Sequence, residues 1–233
     1  MSASPQFGHA PDPPSRGRLK KIIRLFTERG FANRVVRARL YDLLCGRLKI
    51  AAPLLTEDRR VLEKIIFEYY RSNSHIKTVL FVGCDSYTTH YQRCYFAAHD
   101  YWTIDPDATR RKFGAKQHVV TRLEELGQHF PTGFFNLIIC NGVYGWGLNC
   151  VEDCDTAMSQ CHSCLADAGH MLLGWNDVPR WDPAPLSKVR SLSLFSRYAF
   201  PPFGAWQYLT DTPYRHTYYF FQKRNYPDVH RTR

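Results

Sequence analysis

Two short apolar runs end in residues that could hold a ligand. Thr78-Val79-Leu80-Phe81-Val82 runs into Gly83, Cys84 and Asp85, and Tyr101-Trp102-Thr103-Ile104 ends in Asp105. A glycine lets backbone approach a bound molecule closely. An ionised carboxylate about twenty residues further on offers several acceptor sites to a pair of hydroxyls. Glycine after one strand and acid after the next is the layout of a nucleotide-type site at the carboxyl ends of two parallel strands. A third feature is Asn141-Gly142-Val143-Tyr144-Gly145-Trp146-Gly147, where glycines separate two large aromatics. Either ring could face a ligand, or the loop could simply pack. Groups able to take a proton are His216, Asp177, Tyr144 and Asp211. Each has a plainer reading as well: a structural histidine, a loop cap, a packed ring.

The elements that must position these residues follow from periodicity. Strands are predicted over Thr78–Val82, Tyr101–Ile104, Gln117–Val120, Phe135–Cys140 and Gly169–Gly174. Helices are predicted over Tyr87–Phe96 and Val151–Leu165. Such alternation argues for a mainly parallel sheet. Ser191–Tyr198 and His216–Lys223 read as a closing antiparallel hairpin at the sheet edge, joined by a loop rich in proline, glycine and aromatics. Upstream, helices are predicted over Arg18–Arg29, Ala32–Leu48 and Thr56–Arg71, the last opened by Thr56 as cap and by acidic Glu57 and Asp58. The expected organisation is a disordered tail over 1–15, a helical cap over 16–75 and a ligand-binding domain over 76–233.

Composition sets bounds. The 233 residues are 44% hydrophobic and 15% aromatic, which suits one large domain with a packed core. No apolar run reaches the roughly 18–20 residues of a membrane span, and the polar, proline-rich start does not read as a secretory signal. A cytoplasmic location is expected. The net charge is +10, and residues 1–49 hold eleven Lys and Arg against three acids. That basic segment could bind nucleic acid, or be a solvated helix face. Cys154, Met158, Cys161 and Leu165 recur at helical spacing, so these cysteines are expected in the core and no metal site is expected.

With the elements in this order, the chain resembles the class I S-adenosylmethionine (SAM)-dependent methyltransferases over about Thr78 to Asp177. The residues that carry the resemblance are Val79–Gly83, the loop Gly83–Tyr87, Asp105 and Asn141–Trp146. It implies a Rossmann-like α/β fold: a mainly parallel seven-stranded sheet, helices on both faces, an antiparallel C-terminal strand and, here, the N-terminal helical cap. It implies SAM as cofactor. Gly83, Cys84, Asp85 and Tyr87 would approach its methionine part and sugar. Asp105, next to Pro106, would accept the ribose hydroxyls. Arg122 and Leu123 would lie beside adenine, and Asn141, Gly142 and Val143 would line the methyl-donor end. Two positions depart from the pattern. The loop has Asp85 and Tyr87 where the family has further glycines, and Thr121-Arg122-Leu123 lacks the usual acid.

The resemblance implies methyl transfer to an O or N nucleophile. His216, Asp177 and Tyr144 are the candidate catalytic groups where a proton must leave. The Gly142–Gly147, Trp175–Trp181 and Phe200–Tyr214 loops would shape the acceptor pocket. The aromatic run Phe200-Pro-Pro-Phe-Gly-Ala-Trp206 favours a small-molecule acceptor over a macromolecule. Alternatives are a nucleic-acid methyltransferase using the basic arm, and a SAM-binding protein without catalysis. An NAD(P) oxidoreductase is disfavoured by the missing G-x-G-x-x-G.

Overall fold

The computed structural model describes residues 56–178 and 186–224. The expected tail, the helices over Arg18–Arg29 and Ala32–Leu48, and the end of the Trp175–Trp181 loop lie outside the described residues.

The strands are β1 (Thr78–Val82), β2 (Asp100–Ile104), β3 (Gln117–Val119), β4 (Phe135–Asn141), β5 (Leu165–Asn176), β6 (Phe195–Arg197), β7 (Gln207–Leu209) and β8 (His216–Lys223). They form one eight-stranded sheet in the order β3-β2-β1-β4-β5-β8-β6, with β7 also pairing with β8. Pairs from β3 to β5 are parallel, whereas β8 runs antiparallel to β5, β6 and β7. The expected count of seven is therefore exceeded by one. The extra strand is β7, formed by the aromatic loop where it returns along the outer side of β8. For the same reason the terminal strand is not at the edge: it is inserted between β5 and the short β6 and β7.

Parity along the strands divides the core in two. Leu80, Val82, Ile138, Cys140 and Leu173 face helix α4 (Val151–Cys164) and join Cys154, Met158, Cys161 and Cys164, so these cysteines are core residues. Val79, Phe81, Leu137, Ile139 and Phe220 face the other way. They are covered by α1 (Glu57–Val61) and α2 (Phe67–Ser72), joined without a break by a π-helical turn over Leu62–Ile66, and by the short α3 (Tyr91–Cys94). Thr56 sits extended at the N-cap, but its side chain makes no capping bond; the acidic first turn is as expected. Val61, Leu62, Ile66, Phe67 and Tyr70 are buried on the sheet, so the expected boundary at 75 does not separate this helix from the domain.

The π turn buries a charge. Glu63, 1% exposed, accepts hydrogen bonds from Arg59 Nη2 at 3.0 Å, His90 Nε2 at 3.1 Å, Tyr95 hydroxyl at 3.0 Å and Tyr91 hydroxyl at 3.3 Å. Burial pushes its carboxyl up, but the His90 hydrogen bond and the Arg59 charge outweigh it, and the pKa lies below its ordinary value.

Two elements are shorter than periodicity suggests, because side chains claim the backbone. The helix expected over Tyr87–Phe96 is a 3-10 turn, Ser86–Thr88, followed by four-residue α3. Asp85 and Thr88 form a capping box there, and the Thr88 hydroxyl also reaches Phe113 O at 3.1 Å. The strand expected from Ser191 starts only at Phe195. Ser191 N–H and Oγ–H both donate to Asp155 Oδ1 at 2.8 Å, which curls Arg190–Leu194 into a 3-10 turn.

Candidate functional site

The chain leaves β1 for β2 on one side and later returns to β4 on the other. The sheet's order therefore reverses between β1 and β4, where open α/β sheets form their ligand crevice. Gly83 ends β1 in the left-handed region, with φ of +81°, and a Cβ there would press on Val143 Cγ2 at 3.1 Å. The glycine loop and the Asn141–Val143 loop thus face each other across the crevice.

Asp105 is buried beside them. Its Oδ2 accepts from Cys84 N–H at 2.7 Å and its Oδ1 from Asp107 N–H at 2.9 Å. One bond to each oxygen fixes the carboxylate and leaves further lone pairs for a ligand's hydroxyls. Arg110 ties the two loops together, donating to Cys84 O at 2.8 Å and Asp85 Oδ2 at 3.3 Å while pairing with Asp107 at 3.6 Å. Behind the loop, Thr103 Oγ1 lies 2.9 Å from His118 Nδ1. Burial, then the Asp105 charge, push the Cys84 thiol up to about 12, so it is no nucleophile at neutral pH. Pro106 is exposed, and Tyr87 lies under the Arg59 guanidinium, 5.1 Å from its ring centroid.

A second polar group sits at the ends of β4, β5 and β8. Strand register places Asn141 beside Gly174 and Asn176 beside His216. His216, 6% exposed, has Nε2 at 3.0 Å from Asn141 Oδ1 and Nδ1 at 2.8 Å from Asn176 Oδ1. Burial pulls its pKa down to about 4, against the opposing pull of Asp58. Both ring nitrogens lie within hydrogen-bonding distance of amides, and burial makes the ring a weak base, so His216 has no free nitrogen for the general-base role expected of it. Gly142, with φ of +74°, donates its N–H to Gly174 O at 2.9 Å and has open space where a Cβ would stand.

Other expected site residues fall elsewhere. Tyr144 is 1% exposed and packs edge-on against Trp175, with centroids 5.3 Å apart, on the α4 side of the sheet. It is a core residue, not a catalytic one. Its partner in the motif, Trp146, is 58% exposed. Leu123 is buried in the same core, and Arg122 pairs with Glu124 and, at 3.7 Å, with Asp153. Asp177 pairs with Arg215 at 3.6 Å at the rim. Phe200 stacks on Phe220 with centroids 4.2 Å apart, Phe203 on Tyr208 at 4.1 Å and Trp206 on Tyr219 at 5.0 Å. The aromatic run therefore covers the sheet, and Trp206 also lines a cavity with Leu192, Phe195 and Tyr219. The following loop does reach the crevice side, where Asp211 N–H donates to Glu57 Oε2 at 3.0 Å.

Sequence reasoning passed over Arg110, Asn176 and Asp58. Arg110 stands in the run Arg110-Arg111-Lys112, whose members look alike until one is folded against Cys84. Asn176 adjoins the more conspicuous Asp177. Among the described residues no group of three or more His, Cys, Asp or Glu could hold a metal ion, and no helix is long and apolar enough to cross a membrane.

No protein-family model and no curated protein matches the chain. Solved structures do. The N-methyltransferase NodS from Bradyrhizobium japonicum WM9 aligns over 72% of this chain and 97% of its own, at 14% identity and a TM-score of 0.55. Its complex with S-adenosyl-l-homocysteine aligns over 79% and 100%, at 14% identity and 0.50. A SAM-dependent methyltransferase from Archaeoglobus fulgidus aligns over 71% and 92%, at 11% identity and 0.50. At such identities the likeness is one of fold. The fold is the Rossmann-like one of the class I SAM-dependent methyltransferases, as the resemblance in sequence implied.

Proposed function

We propose that this chain is a SAM-dependent methyltransferase that moves a methyl group from SAM to a nucleophilic O or N of a small-molecule acceptor. The observation that carries the reading is the Asp105 carboxylate, pinned by Cys84 and Asp107 at the point where strand order reverses. The residues fit a nucleoside: an acid with spare lone pairs, a left-handed Gly83 beside it, and open backbone at Gly142. Bound there, SAM would supply an electrophilic methyl group. The chain's own part is to hold the ribose through Asp105, keep the two loops together through Arg110, and align the acceptor. Neither His216 nor Tyr144 is placed to take a proton. Where the acceptor must lose a proton, the carboxylates Asp177 at the rim and Asp211 on the crevice side are the candidates that remain.

Charge supports a small acceptor. Around the crevice stand Glu57, Asp58, Asp85, Asp105, Asp107, Asp177 and Asp211, against Arg59, Arg110 and Arg215. Among the described residues that balance is acidic, which disfavours a polyanion. A cytoplasmic site of action suits the free thiols among the described residues.

The test is calorimetric titration with SAM and S-adenosylhomocysteine (SAH), with NADH as control. Micromolar binding of both sulfur ligands, weakened at least about a hundredfold in Asp105→Ala, is expected for the loss of two charge-assisted hydrogen bonds. Binding of NADH alone, or of nothing, would sink the reading. Deleting residues 1–30 addresses the acceptor: loss of a salt-sensitive RNA or DNA affinity would move it to nucleic acid.

A further inference from the structure

We propose that His216 is a positioning residue: a ring with a single N–H that fixes which end of the Asn141 amide is presented to a bound ligand. The hydrogen-bond assignment rests on the ring's burial, its lack of a carboxylate partner and its two amide contacts, and only its consequence for ligand binding rests on the methyltransferase reading above.

The ring's two nitrogens lie 2.8 Å from the Asn176 amide and 3.0 Å from the Asn141 amide. A neutral imidazole has one donor and one acceptor, so it cannot donate to two carbonyls. The charged groups around it are few. Asp58 faces it from α1, and the Asp177–Arg215 pair lies at the rim, joined to the next turn of backbone. Tyr218 packs on the ring from its own strand at 4.8 Å, and no carboxylate is within hydrogen-bonding distance. Burial without a direct anionic partner keeps the ring neutral. One of the two amides must then turn its NH2 to the ring. The two ends of an amide are nearly the same shape, so the hydrogen-bond network decides which.

Both contacts are short enough for either tautomer, and the proton is placed on Nδ1, donating to Asn176 Oδ1. Nε2 then carries the lone pair and accepts from the Asn141 NH2 group, leaving the Asn141 carbonyl as the free end. Gly174 is part of the device. A Cβ there would collide with the Asn141 amide and lie 3.1 Å from His216 Nε2, so the clamp closes only over a glycine. Asn141 follows β4 directly, beside the Gly142–Val143 backbone that faces Gly83. An amide held this way offers a ligand an acceptor and suits a donor N–H or O–H. A doubly protonated ring would turn both carbonyls inward and present NH2 instead.

Two measurements test the proposal. In protein labelled with ¹⁵N-histidine, a long-range ¹H–¹⁵N spectrum at pH 7 should show His216 with one N–H, on Nδ1. His216→Gln assigns the signal by its loss. An imidazolium pattern, or a proton on Nε2, overturns the assignment. SAM and SAH affinities then test the positioning. In His216→Leu and Asn141→Ala the affinities for SAM and SAH, which carry the same N–H and O–H donors, should both fall about tenfold, and His216→Gln, which can donate and accept, should restore them. Unchanged affinities in His216→Leu and Asn141→Ala, or no recovery in His216→Gln, overturn the role. Asn141→Ala carries the comparison if His216→Leu does not fold. If the wild-type chain binds neither ligand, the methyltransferase reading fails, and the spectrum alone decides the hydrogen-bond assignment.

Discussion

Two polar groups are buried on the same side of the sheet, and they are built in opposite ways. Around Glu63 the network is ionic: a carboxylate at a π turn, surrounded by a guanidinium, an imidazole and two phenols. Around His216 it is neutral: an imidazole between two amides. The ionic network joins a helix to the segment after the glycine loop, so it fastens one layer to another. The neutral one joins the ends of three strands at the crevice, so it sets the direction of a side chain. A buried charge must be matched by charge, and its removal is severe. A neutral network carries little desolvation cost, yet every donor and acceptor must find its complement.

Removing the charge should have the largest effect. Glu63→Ala leaves Arg59, His90 and two tyrosine hydroxyls without their acceptor, and a loss of about 3–5 kcal/mol is expected in chemical denaturation. A loss below about 1 kcal/mol would mean that water replaces the carboxylate and that the network is not tight. Next comes Gly174→Ala. Overpacking of this kind costs about 1–3 kcal/mol, and it should disturb the neutral group while leaving the ionic one intact. An ordinary thermal midpoint with unchanged ligand affinities would show that Asn141 swings aside freely.

The third effect is on pH dependence. His216 and His170 are both pulled by burial from an ordinary value near 6.5 to about 4. Between those values the unfolded chain holds protons that the folded chain does not, so stability rises with pH across the window. The Glu63 carboxyl, below its ordinary value, adds loss in the same direction at lower pH. The thermal midpoint should therefore fall on acidification from about pH 6.5 to about pH 4, and fall less in His216→Gln. A flat profile would mean that both rings are protonated in the folded chain.

Much of the sheet was legible from its alternation. β1 and β8 begin and end where the apolar runs do, because both are buried by two layers. Gly83 and Asp105 were legible because a turn glycine and a strand-end acid leave local marks. The rest depended on partners far along the chain. Nothing local says that Ser191 will meet Asp155, thirty-six residues away, and give up its place in a strand. Nothing in Gly142–Gly147 distinguishes Tyr144 from Trp146, although one is sealed in the core and the other faces solvent. His216 looked like a base because its type suggests one. Only the amides on either side, from β4 and β5, show that it has no capacity to spare.

The position of β8 has a consequence for how the chain is made. β8 is the last described strand in sequence, yet it lies in the interior of the sheet, next to β5. Until residues 216–223 leave the ribosome, Met171, Leu172 and Leu173 belong to an open edge of unpaired backbone. From the synthesis of residues 165–176 until that of 216–223 the nascent chain carries a strand ready to pair with whatever extended segment it meets, and a product truncated between them would keep that edge open for good.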